Sequence, residues 1–136
     1  MKKTAYLLLM LVLLASCAKS KEDQVLRYAQ KTIGKKPDNI KAGKGDILYE
    51  FAYRTDKQRI DLLTDFRNIT DGLDKITNSS HQSQRDVLVR DESGRYLGKS
   101  DINSWKTKDM DVLLEIFEPD KDDLPHKINV RVISNY

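Results

Sequence analysis

Residues 47–54 constrain the fold more than any other stretch. Ile47, Tyr49, Phe51 and Tyr53 alternate with Leu48, Glu50, Ala52 and Arg54. A period of two places every second side chain on one face of a strand. Such a strand, over about 46–54, gathers its aromatic rings on a single face that needs a covering layer. The pattern returns near the C-terminus. Val112, Leu114 and Ile116 alternate with Leu113, Glu115 and Phe117, and Ile128, Val130 and Val132 alternate with Asn129, Arg131 and Ile133. These predict strands at 111–118 and 127–134, antiparallel neighbours through a turn at 119–125. A hairpin is expected from 86–90 and 95–98, with Gly94 supplying the left-handed position in its turn.

Two segments carry the helical period instead. Ser20 can cap free N–H groups, Glu22 and Asp23 sit in the first turn, and Val25, Leu26, Ala29 and Ile33 share a face. Gly34 and Pro37 end that helix, placed at 20–33. Ile60, Leu63, Phe66, Ile69, Leu73 and Ile76 step by three or four, predicting a helix over 57–77 that Thr70-Asp71-Gly72 weakens in the middle. Residues 78–84 and 101–109 read as loops, the second containing Trp105. Lys35, Lys36, Lys41 and Lys44 fall in another loop, either solvated or, near a membrane, facing anionic headgroups. The expected class is α+β: an N-terminal helix and a second helix packed on a curved antiparallel sheet of about four to five strands.

The N-terminus has a different character. Lys2 and Lys3 precede ten apolar residues, Ala5 through Leu14, which are too few to span a bilayer core of about 30 Å. The run closes on Leu14-Ala15-Ser16-Cys17, which contains the single cysteine of the chain. This stretch resembles the signal peptide and lipobox of bacterial lipoproteins. The resemblance implies cleavage between Ser16 and Cys17 and lipidation of Cys17. It places the protein on a cell membrane, exposed outside the cytoplasm, and on the outer membrane in a Gram-negative cell. Two or three acyl chains, at about 0.8 kcal/mol per buried CH₂, would hold it there permanently. Residues 17–19 would form a short tether and 20–136 one globular domain.

The order of elements over 20–136 also resembles the cystatin-like and NTF2-like folds of small lipoproteins from Gram-positive bacteria, some of them encoded on conjugative elements. In the simplest cystatin order one helix is followed by strands, and the helix at 57–77 is additional to it.

Charge and motifs narrow the function. The chain has 24 basic and 21 acidic residues. Setting aside Lys2 and Lys3 leaves 22 against 21, so a nucleic-acid partner is not expected. His81 and His126 stand alone in loop-like sequence and read as surface histidines. Asp120, Asp122 and Asp123 lack the glycine and distal glutamate of a calcium loop and read as a solvated turn. No catalytic motif, metal site or cofactor site is expected. Candidate partner contacts are Trp105, with Arg95 and Tyr96 beside the 91–94 turn, because Trp, Tyr and Arg dominate binding hot spots. The first expectation is a non-enzymatic surface lipoprotein that binds another envelope protein, in a conjugation or secretion system by analogy. Alternatives are an inhibitor or immunity-type module against an exogenous hydrolase or toxin, and a carrier of a small apolar ligand or lipid. The carrier would need Tyr49, Phe51 and Tyr53 to line an open cavity.

Overall fold

A computed structural model describes residues 20–53, 58–121 and 125–135. Cys17, Ser16 and the apolar run lie outside them, as do Asp122 and Asp123. Within them lie two helices, α1 (Lys21–Ile33) and α2 (Gln58–Thr77), and six strands: β1 (Asn39–Gly43), β2 (Asp46–Tyr53), β3 (Gln82–Arg90), β4 (Tyr96–Lys106), β5 (Met110–Pro119) and β6 (His126–Ser134). The strands form one antiparallel sheet in the order β1-β2-β6-β5-β4-β3. The expected α+β class holds, with six strands rather than four to five.

Alternation explains the core. Tyr49, Phe51 and Tyr53 of β2, Val112, Leu114 and Ile116 of β5, and Ile128, Val130 and Val132 of β6 are buried on one face. Both helices cover that face. The rings of β2 are thus closed into the core, and the carrier expectation loses its open cavity there. Ser20 caps α1 by accepting from Asp23 N–H at 3.3 Å, and Gly34 ends it at φ +83°.

The second helix is continuous through Thr70-Asp71-Gly72, where its middle was expected to weaken. Gly72 is a packing site: a Cβ there would lie 2.0 Å from the Tyr28 ring, so glycine lets α1 approach α2. Tyr28 OH then donates to Asn68 C=O at 3.1 Å, across the two helices. The apolar stripe differs by one position from the expected one. Leu62 is fully buried, whereas Leu63 is 47% exposed. Leu62, Phe66, Ile69, Leu73 and Ile76 alternate steps of four and three, so Leu63 lies about 100° off the stripe.

Candidate binding surface

Both helices lie on one face of the sheet, and no described element covers the other. Its composition follows from register. Side chains paired across antiparallel strands share a face. One row therefore runs Lys41, Leu48, Arg131, Leu113, Ser104 and Gln82, and the next runs Asn39, Glu50, Asn129, Glu115, Ile102 and Gln84. Leu48, Leu113 and Ile102 are half-buried, and with Glu115, Asn129 and Arg131 they line a shallow recess.

The polar members are held in place. Arg131 donates twice to Asp46, from Nε at 2.9 Å and from Nη2 at 2.5 Å. That fork holds the Asp46 carboxyl below its usual range and raises Arg131 in return. Asn129 donates to Glu115 at 2.9 Å, and Asn39 donates to Glu50 at 3.0 Å. The result is an apolar patch within a frame of oriented polar groups, as in protein-binding surfaces.

The sequence-predicted contact residues separate. Trp105 is not in a loop. It belongs to β4, is 1% exposed and fills the core beneath α2. Its indole N–H donates to Asp74 Oδ1 at 2.8 Å. The same oxygen accepts from the backbone N–H of His81 at 3.2 Å and lies 3.0 Å from His81 Nδ1. A carboxylate can only accept, so the ring proton is on Nδ1. Burial raises the Asp74 carboxyl, but the donors from Trp105 and His81 outweigh it and hold it below its usual range. His81 is therefore a half-buried member of a clasp joining α2, the 78–81 turn and β4, not a free surface histidine.

Arg95 and Tyr96 lie at the other end of β4, which at about 3.3 Å per residue puts them roughly 30 Å from Trp105. Arg95 is exposed and 3.4 Å from Asp91, and Tyr96 is 36% exposed. Their turn is rigid. Asp91 Oδ1 accepts from Ser93 N–H at 2.9 Å, Ser93 Oγ at 2.6 Å and Arg95 N–H at 3.0 Å. These donors hold the Asp91 carboxyl low, that of Ser93 Oγ the most.

Two polar clusters had no signal in the sequence. Asn103, buried on β4, accepts from Ser83 Oγ at 2.7 Å and donates to Thr70 Oγ1 at 2.9 Å, tying β3 and α2 to β4. At the far end of β2, Tyr53 OH donates to Asp65 Oδ2 at 2.8 Å. Burial raises both groups, and Asp61 raises the Asp65 carboxyl further. His126 begins β6 opposite Tyr53. It is half-buried, with an Nδ1 that has no partner among the described residues, so it too departs from a surface histidine. Asp120 is exposed, and its N–H donates to Leu97 C=O at 2.9 Å, as a turn residue.

No three His, Cys, Asp or Glu side chains gather at metal-binding distance among the described residues, and no helix there is long and apolar enough to cross a membrane. No family model, curated protein or solved structure matches the chain.

Proposed function

We propose that this chain is a lipid-anchored, non-enzymatic envelope protein that uses its uncovered sheet face to bind another envelope protein. The observation that carries this is the apolar patch of Leu48, Ile102 and Leu113, set among paired polar groups on a face that no described element shields. Lipid attachment at Cys17 comes from the lipobox resemblance, and the pole at which α1 begins is the one such an anchor would hold down. Lys21 at the start of α1 lies 3.9 Å from Asp109 in the β4–β5 turn. Asn135 N–H donates to Asp109 C=O, and Ser134 N–H donates to Gly45 C=O. The α1 start, two turns and the end of β6 therefore meet at one pole, with the 91–94 turn at the opposite one. A place in conjugation or secretion machinery remains an analogy to cystatin-like lipoproteins. In that analogy α2, taken above as the additional helix, instead leads the four strands β3–β6, and α1 and the β1–β2 hairpin are the additions.

The test is pull-down of the acylated full chain from native envelopes against a Leu113→Asp variant. One dominant protein partner is expected, lost in the variant while the fold is retained. Recovery of lipid alone from both would overturn the proposal. A second reading, an inhibitor or immunity-type module, is favoured by the rigid Asp91 turn presenting Arg95 and Tyr96. An Arg95→Ala, Tyr96→Ala double variant that loses the partner while Leu113→Asp keeps it would select that reading.

A further inference from the structure

The sheet ends in two unlike edges. The pairing of β3 with β4 shifts register between Gln84 and Val87 and again between Val89 and Arg90, and Asp86 sits at φ +53°. Such irregularities turn an edge away from flat pairing. The other edge is unbroken. β1 pairs with β2 from Asn39↔Glu50 to Gly43↔Asp46, and all five of its residues are exposed. An antiparallel edge strand leaves about half of its backbone N–H and C=O groups turned outward, open to another strand. Ile40, 55% exposed, adds an apolar contact beside them.

Charge decides what can pair there. Lys36, Lys41 and Lys44 are exposed along this edge. Lys35 is occupied by Asp38 at 2.7 Å. Lys41 lies 3.5 Å from Glu50 yet stays 64% exposed. Two copies pairing along β1 would bring three lysines from each onto one short seam, and opposed like charges destabilise a strand pair. An acidic strand turns that repulsion into attraction. A recess lined by Lys41, Ala42, Gly43, Asp46, Leu48 and Arg131 also opens beside β1 on the uncovered face; Arg131 there is paired with Asp46, which leaves Lys41 as its exposed cation.

We infer that β1 is the docking edge for an extended acidic segment of the partner, which joins the sheet as a further strand; this rests on the partner-binding function proposed above. The mode is strand addition, with main-chain hydrogen bonds for affinity and lysines for selection.

The test is photocrosslinking of the full chain in native envelopes, with a photoreactive amino acid placed in turn at Ile40, at Leu113 and at Leu88 on β3. Expected is an adduct at Ile40 whose partner peptide, sequenced by mass spectrometry, is rich in Asp and Glu. Combining Lys36→Glu, Lys41→Glu and Lys44→Glu lowers that adduct about tenfold, whereas the three Lys→Arg changes preserve it. A neutral or basic peptide at Ile40 overturns the inference. Protein adducts at Leu113 or Leu88 alone overturn the docking edge and leave partner binding standing. No protein adduct at any position overturns both. Loss of cosedimentation with phosphatidylglycerol vesicles in the Lys→Glu variant, without a protein adduct at Ile40, assigns the lysines to the membrane and also overturns the inference.

Discussion

At the scale of single residues, the exposed arginine and the buried tryptophan should behave in opposite ways. Truncating Trp105 removes a core ring and takes from Asp74 its indole donor, leaving only those of His81, so Trp105→Ala is expected to cost about 3–5 kcal/mol in denaturant unfolding. Arg95→Ala, at an exposed turn, should stay within about 0.5 kcal/mol. Gly72 offers a sharper check. Gly72→Ala drives a methyl into the Tyr28 ring and should destabilise by about 1–2 kcal/mol. In a Tyr28→Ala background the same change should stabilise by up to about 1 kcal/mol, because alanine is then simply the better helix former. Two carboxyls should respond oppositely to pH. Asp74 titrates lower in the folded chain than its unfolded value of about 3.9, so its stabilisation is present above that value and fades as pH falls through the folded pKa. Asp65 is raised, so its contribution is full below the unfolded value and is lost as pH rises through the folded pKa. In thermal unfolding from pH 3 to 7, Asp74→Asn should lower Tm at pH 7 and flatten the acid limb. Asp65→Asn keeps an acceptor for Tyr53 and should match or exceed the unmodified chain at pH 7.

At the scale of elements, β4 shows where sequence patterning stops being informative. Its second half reads as a loop because Asn103 takes a core-facing position, so the apolar alternation of β2, β5 and β6 fails there. What holds it is hydrogen bonding to Ser83 and Thr70, a three-residue coincidence from three elements that no local pattern announces. Asn103→Ala should remove the acceptor of Ser83 Oγ and the donor to Thr70 Oγ1, which keeps its bond to Phe66 C=O, and cost about 1–3 kcal/mol, with amide exchange rising first along β3 and β4. β1 escaped for the opposite reason: Asn-Ile-Lys-Ala-Gly buries nothing, so hydrophobic period has no purchase on it. Elements that bury a face were legible: α1 with its cap, β2, β5, β6 and the hairpin turn at Gly94. The uncovered face was half-legible. Leu48, Leu113 and Ile102 stand in the sequence, but only register places them together.

At the scale of the whole molecule, anchoring and binding become one geometric claim. If acyl chains leave from Cys17, a few residues before α1, the pole holding the β1–β2 and β4–β5 turns faces the membrane. The sheet then stands away from the bilayer, with its uncovered face and β1 edge directed sideways toward a neighbour in the same envelope and the Asp91 turn outermost. Cys17→Ala should release the domain without unfolding it, since the buried cluster from Val25 to Val132 is built by both helices and the sheet. The most direct measurement is intact and peptide mass spectrometry of the protein purified from its native cells. An N-terminus at Cys17 carrying a diacylglyceryl thioether, found in the membrane fraction, is the expected result. An unprocessed Met1 with a free Cys17 thiol in the cytosolic fraction would contradict it.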